Sequence, residues 1–134
     1  MLLKEIFNFS NGKSINGLPN GSNPIYGSTG IIGFTSKWLF SGDKTLIARV
    51  GANCGYVQYA SGHYWVSDNT IVASSKINIL PKYGYYLLST VKLQQLRIGS
   101  AQPLLTINIL NSLETKIHTP AEQRHIVDTT SSLQ

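Results

Sequence analysis

Turn dipeptides divide the first part of the chain into short segments, and this pattern limits the fold more than any other feature. Asn11-Gly12, Asn16-Gly17 and Asn20-Gly21 are such dipeptides, because Asn and Gly adopt positive φ at little cost. The runs that follow are short and rich in β-branched or aromatic residues, which favours strands. They predict a compact, irregular, mainly antiparallel sheet with strands over residues 30–35, 45–50, 55–59 and 69–74.

The pattern changes at Pro81. Apolar residues such as Leu87 and Val91 recur near helical spacing, which predicts one amphipathic helix over residues 82–98 that packs on the sheet. Further on, Thr106 is expected to cap a short helical turn that ends at Leu110. Residues 113–118 alternate like an edge strand.

The sharpest local signal is the segment Thr119-Pro120-Ala121-Glu122. It places Thr at the N-cap, Pro at the first helical position and Glu at the third, which is a capping box. A helix should begin there, with Ile126, Val127 and Leu133 facing inward. The predicted fold is therefore α+β, with an irregular β-rich core, one packed amphipathic helix and a C-terminal helix that leads away.

Composition and charge narrow the function. At 134 residues, with 42% hydrophobic and 13% charged residues, the chain is expected to form one folded domain. No run of about 18 apolar residues and no secretory signal is apparent, so we expect a cytoplasmic protein with no membrane partner. Eleven Lys and Arg against six Asp and Glu give a net charge of +5, which favours polyanionic partners.

Several fragments resemble catalytic motifs but lack essential parts. Residues 23–26 read Asn-Pro-Ile-Tyr, without the second Pro of the amino-methyltransferase signature, and Asn23-Pro24 is expected to be a turn before a strand. Residues 12–14 match the end of a phosphate-binding loop whose first Gly is missing. Cys54 and His63 lack an orienting third group, and Cys54 is expected to be a buried small hydrophobe. The histidines are far apart and have no clustered carboxylates. We therefore predict no enzymatic activity, no cofactor and no metal.

What remains is a set of residues suited to DNA recognition. Lysine and arginine side chains neutralise phosphates, whereas hydroxyl and amide side chains donate to and accept from base edges. The candidate phosphate contacts are Lys37, Lys44 and Arg49, and the candidate base contacts are Ser28, Thr29, Asn53, Asn69 and Gln102.

Read in order, the chain resembles the target-recognition domains of type I restriction–modification specificity subunits over nearly its full length. The order and spacing of the matching stretches carry the resemblance, and the closing stretch Pro-Ala-Glu-Gln-Arg-His-Ile-Val is the most specific. The stretches are residues 9–14, 24–34, 45–51, 55–57, 65–70, 99–103 and 120–127.

The resemblance implies that the chain reads one half of a bipartite target in double-stranded DNA for separate modification and restriction subunits. It implies a recognition domain over residues 1–118 and the start of a spacer helix over residues 119–134, through which two copies would self-associate. A carbohydrate- or peptide-binding β module without catalysis is the alternative. Such a module would place its aromatic side chains on one exposed face and would not depend on Lys37, Lys44 or Arg49.

Overall fold

A computed structural model describes residues 1–94 and 104–132 and shows an α+β fold, as predicted. Eight strands and four helices are present among these residues. The strands are β1 Phe7–Asn11, β2 Asn23–Tyr26, β3 Ile31–Thr35, β4 Phe40–Ser41, β5 Lys44–Ala48, β6 Val57–Ala60, β7 His63–Val66 and β8 Thr70–Ser75. The helices are α1 Leu3–Ile6, α2 Pro81–Thr90, α3 Ile107–Ser112 and α4 Pro120–Ser132.

The strands form two four-stranded sheets. The first has the order β1-β8-β5-β6 and the second has the order β3-β2-β7-β4. Every pairing is antiparallel except that between β2 and β7, which run parallel, with Ile25 opposite Trp65. The expectation of a mainly antiparallel arrangement is therefore confirmed, although there are two sheets where the sequence pattern indicates one.

The first sheet is the central layer, because it is buried on both faces. Ile47 of β5 and Ile71 of β8 belong to a core cluster shared with the helices. Their neighbours Leu46 and Val72 belong to a second cluster that includes Tyr64 of the second sheet. Since successive side chains of a strand point to opposite faces, the helices cover one face and the second sheet covers the other.

Four of the predicted strands are present with shifted ends, as β3, β5, β6 and β8. Strands β1, β4 and β7 are not among the sequence predictions. Strand β2 includes Asn23 and Pro24, so the expectation of a turn at these two residues is wrong.

Two other predictions need correction. The amphipathic helix ends at Thr90, and Lys92 follows with a φ of 57°, whereas residues 95–98 of the predicted range lie outside the described residues. Residues 113–118 do not form an edge strand, because their pairing with the N-terminal segment is limited to residues 113–115 and the His118 N–H donates to the Tyr83 hydroxyl instead. The Leu3 N–H donates to the Leu113 carbonyl at 2.8 Å, and Glu114 makes only an isolated bridge to Leu2.

The capping predictions are confirmed. Thr106 accepts a hydrogen bond from the Ile109 N–H at the start of α3. At the start of α4, the Glu122 N–H donates to the Thr119 hydroxyl at 3.2 Å, and the Thr119 N–H donates to the Glu122 carboxylate at 3.0 Å. Ile126 is half-buried against the helical core, as expected, whereas Leu133 lies outside the described residues.

The start of α4 is also tied to α2. The buried Tyr83 hydroxyl accepts a hydrogen bond from the His118 N–H at 3.0 Å and lies 2.8 Å from His118 Nδ1. The Gln123 amide donates to the His118 carbonyl at 2.8 Å. The first turn of α4 is thus part of the folded domain. No helix among residues 1–94 and 104–132 has both the length and the apolar character needed to cross a membrane.

The capping box makes a prediction about pH. The Thr119 backbone N–H, with a further contribution from its side chain, lowers the pKa of the Glu122 carboxyl below its usual value of 4.5. A carboxyl whose pKa is lower in the folded state than in the unfolded state stabilises the fold at pH values above its unfolded-state pKa. This stabilisation is lost as the pH falls through its folded-state pKa. Stability conferred by Glu122 should therefore be present at neutral pH and should decline below pH 4.5.

Glu122→Gln is the matched control, because its amide oxygen can still accept from the Thr119 N–H but does not titrate. Urea unfolding at about pH 6 and about pH 3 should show a smaller loss of unfolding free energy for Glu122→Gln than for the unmodified chain. Equal losses in the two proteins would mean that the Glu122 charge does not stabilise the folded state.

Candidate functional site

The turns that leave the two sheets bring several candidate residues to one edge. This edge, called here the Asn69 edge, consists of residues 27–30 between β2 and β3, 49–56 between β5 and β6, and 67–69 between β7 and β8. It includes five of the predicted DNA-contacting residues, namely Ser28, Thr29, Arg49, Asn53 and Asn69.

Hydrogen bonds link the three turns. The Ser67 N–H donates to the Tyr26 carbonyl at 2.9 Å, which joins the β7–β8 turn to the end of β2. The Gln58 side chain donates to the Gly27 carbonyl at 2.7 Å and so joins the first sheet to the root of the β2–β3 turn. The exposed side chains at this edge, which include Thr29 and Asn69, are therefore carried on a fixed backbone.

The two predicted lysines lie at the opposite end of the sheets. Lys44 begins β5, whereas Arg49 follows its end, so the two backbones are roughly 17 Å apart at about 3.3 Å per residue. Lys37 follows β3, and its carbonyl accepts a hydrogen bond from the Asn23 side chain at 3.2 Å. We call this end, residues 35–44 with 60–63, the Lys37 edge.

The Lys37 edge also carries an exposed tryptophan. Trp38 is 52% exposed, and its ring lies 4.7 Å from that of His63. The Tyr59 hydroxyl donates to the Asp43 carboxylate at 2.7 Å. Burial, followed by this hydrogen bond, raises the pKa of Tyr59, so the hydroxyl keeps its proton at neutral pH and stays bonded to Asp43.

The Arg49 side chain does not extend freely into solvent, as a side chain that contacts phosphate would. It is half-buried, with Nη1 donating to the Asp68 carbonyl at 3.0 Å and with Nε buried without a hydrogen-bond partner. The Arg49 backbone N–H donates to the Asn69 carbonyl at 3.0 Å. The guanidinium therefore holds the β7–β8 turn in place, which makes Arg49 a positioning residue for Asn69.

Lys13 is a cation beside the Asn69 edge and is not among the residues predicted to contact DNA. Its N–H donates to the Val66 carbonyl at 2.9 Å, its carbonyl accepts from the Trp65 indole at 3.1 Å, and its side chain is exposed. Gly12 makes this approach possible, since a Cβ there would collide with the Ser67 carbonyl. A glycine before an exposed lysine is too common a pattern to identify such a site from sequence alone.

The two residues considered as a catalytic pair, Cys54 and His63, lie in different parts of the fold. Cys54 is buried, as expected, in the cluster beneath the helices, whereas His63 lies on β7 of the second sheet. Within residues 1–94 and 104–132, no group of three His, Cys, Asp or Glu side chains could hold a metal ion. Gln102, the remaining predicted base contact, lies outside the described residues.

Comparison with known proteins gives one consistent family. A family model described as the type I restriction modification DNA specificity domain matches residues 1–134. Over 103 residues, or 77% of this chain, the sequence is 32% identical to the type I restriction enzyme EcoprrI specificity subunit of Escherichia coli. The matched region is 25% of that protein, so the chain spans about a quarter of its relative.

Solved structures show the same fold. The S subunit of a type I restriction–modification system from M. genitalium matches 98% of this chain with a TM-score of 0.86 at 20% identity. The HsdS subunit from Thermoanaerobacter tengcongensis matches 100% of it with a TM-score of 0.73 at 15% identity. The chain covers 37% and 36% of these two proteins, respectively.

The position of Arg49 yields a stability prediction. Arg49→Ala removes the hydrogen bond to the Asp68 carbonyl and should lower the free energy of unfolding by roughly 1–2 kcal/mol, as measured by urea denaturation. Lys37→Ala is the control, because the Lys37 side chain is exposed and its removal should change stability by less than about 0.5 kcal/mol. If the two variants were equally stable, the Arg49 side chain would have no positioning role.

Proposed function

Because this chain belongs to the family of type I restriction–modification DNA specificity domains, we propose that it binds one half of a bipartite sequence in double-stranded DNA. The family match over residues 1–134 is the observation that carries the proposal. In this proposal the chain supplies sequence specificity to separate modification and restriction subunits and performs no chemistry on DNA itself.

The arrangement of the two edges supports base contacts at one edge and phosphate contacts at the other. At the Asn69 edge, Ser28, Thr29, Asn53 and Asn69 would contact base edges, with Lys13 as a neighbouring cation. At the Lys37 edge, Lys37 and Lys44 would contact phosphates. The separation of roughly 17 Å between the edges corresponds to about five base-pair steps, so one duplex lying along β2 and β3 would reach both.

Charge also supports this orientation. The sequence has no carboxylate between Glu5 and Asp43, a segment that contains β2, β3 and both Lys13 and Lys37. The β2–β3 hairpin itself therefore has no carboxylate to repel the phosphate backbone, whereas one exposed carboxylate lies at each edge, Asp68 at the Asn69 edge and Asp43 at the Lys37 edge. The alternative β module is not favoured, because the exposed aromatic rings are spread over the Lys37 edge (Trp38), strand β3 (Phe34) and the Asn69 edge (Tyr56).

The chain also includes an element suited to assembly. We assign DNA recognition to residues 1–118 and the start of a spacer helix to residues 119–134, through which two copies of the domain would associate. Ile126 and Val127 already pack on the domain. Self-association would therefore depend on the part of the helix further from Thr119, and two-fold symmetry would let one domain serve both halves of a target.

DNA binding is tested by selecting duplexes from a random pool and measuring affinity against salt. Lys37→Ala or Lys44→Ala should weaken binding to all sequences alike and reduce the log–log salt slope by about 0.9 for each phosphate that is no longer neutralised. Asn69→Ala should cost roughly 1–3 kcal/mol on the selected site only.

Lys116→Ala is the matched control for the lysine variants, because Lys116 is an exposed cation in the segment that packs beside the helices. Its salt slope should equal that of the unmodified chain. Binding that is insensitive to salt, or selection that yields no common sequence, would contradict the proposal.

Self-association is tested by sedimentation of this chain beside a form that extends α4 past residue 134. The extended form should dimerise at lower concentration, because a longer helix buries more apolar surface against its copy. If the extended form stayed monomeric and deletion of residues 120–134 left association unchanged, α4 would have no assembly role.

A further inference from the structure

Strand β3 exposes an unusual amount of apolar surface. Ile31 is 51% exposed, Ile32 is 56% exposed and Phe34 is 55% exposed. Among the residues that the structure describes, the strand is also the outermost of its sheet and pairs with β2 alone. Exposed apolar residues on an edge strand promote aggregation unless they serve a contact. These exposed side chains therefore indicate a binding surface.

A β-bulge directs Ile32 outward. Ile25 pairs with Gly33 and Tyr26 pairs with Ile31, which leaves Ile32 without a partner on β2. Bulges of this kind change the direction of a side chain and bend the strand. The Ile32 side chain lies over Gly27, where an added Cβ would be only 2.9 Å from Ile32 Cγ2.

That position places Ile32 beside the root of the turn that carries Ser28 and Thr29. The Gly27 N–H donates to the Gly30 carbonyl at 2.7 Å and closes this turn. Phe34 is two residues further along the same strand and so shares the strand face of Ile32. The polar turn and the two apolar side chains thus form one continuous surface along the hairpin.

The charge of the hairpin favours DNA over a protein as the partner of this surface. No carboxylate occurs in β2, β3 or the turn between them, and Lys37 follows directly at the base. The major groove of DNA admits a two-stranded β-ribbon, and thymine displays a methyl group there that apolar side chains recognise.

We propose that Ile32 and Phe34 determine sequence specificity by contacting thymine methyl groups in the major groove. The inference rests on the proposed DNA-binding function and adds the chemistry that the hairpin recognises. Residues two apart on a strand are separated by about 7 Å, which matches about two base-pair steps. The two side chains would therefore contact thymines about two base pairs apart.

The test replaces thymine by deoxyuridine, which differs only in lacking the methyl group. A duplex selected by the unmodified chain is resynthesised with one such replacement at a time. Removal of one buried methyl group should weaken binding roughly fourfold at each contacted position. Ile32→Ala should abolish the difference between thymine and deoxyuridine at one position, and Phe34→Ala should abolish it at another.

Ile109→Ala is the matched control, because Ile109 is an exposed aliphatic residue on α3, in the helical layer. It should discriminate thymine from deoxyuridine as the unmodified chain does. Since Ile32 and Phe34 are more than half exposed, both variants should fold, which their melting temperatures and circular dichroism will check.

The outcomes separate this inference from the proposed function. If the unmodified chain selects no sequence, the DNA-binding function itself fails. If it selects a sequence that lacks thymine, or discriminates no deoxyuridine, or if both variants keep the discrimination, only the inference on β3 fails. Variants that bind DNA normally but no longer bind a purified modification subunit would show that β3 contacts protein, which also overturns it.

Discussion

The pairing of β5 with β8 is the interaction on which the rest of the structure depends. Four residue pairs join these strands, from Thr45 opposite Ala73 to Ala48 opposite Thr70. Their alternating side chains bury one face against the helices and the other against the second sheet. A slip of one residue would exchange the two faces, so burial on both sides fixes the register strongly.

The fixed register determines where the turns lie. Strand β5 ends at Ala48 and β8 begins at Thr70, and these residues are paired, so the segments that follow Ala48 and precede Thr70 must meet. Arg49 joins them by donating to the Asp68 and Asn69 carbonyls. Residues 67–69 also connect the two sheets. A rigid scaffold that presents polar turns is the arrangement through which proteins commonly change specificity without changing fold.

The sequence predicted those elements whose residues have strong intrinsic preferences. Strands β5 and β8 are rich in β-branched residues, and α4 begins with a complete capping box, so local signals and tertiary structure agree. Strand β1, with the sequence Phe-Asn-Phe-Ser-Asn, is different, because it is a strand through its pairing with β8. Residues 113–118 alternate as a strand would, but Leu113 and Thr115 bond to the N-terminal segment and His118 bonds to Tyr83.

The candidate site was predictable by residue type but not by position. Polar residues in Gly-rich turns suggested Ser28, Thr29, Asn53 and Asn69, and the structure places all four at one edge. Their grouping depends on the register of two sheets and on the parallel pairing of β2 with β7, which no local pattern encodes. The same limit applies to Arg49, because a basic residue next to a strand gives no sign that its guanidinium is bonded to a neighbouring turn.

The central claim is that DNA lies along the β2–β3 hairpin and the Asn69 edge. Amide hydrogen exchange with and without the selected duplex tests this claim most directly. We expect slower exchange at residues 27–34 and 67–69 when DNA is bound, and unchanged exchange in α3, which lies in the helical layer. Protection confined to α3 and α4, with none in the hairpin or the Asn69 edge, would contradict this claim.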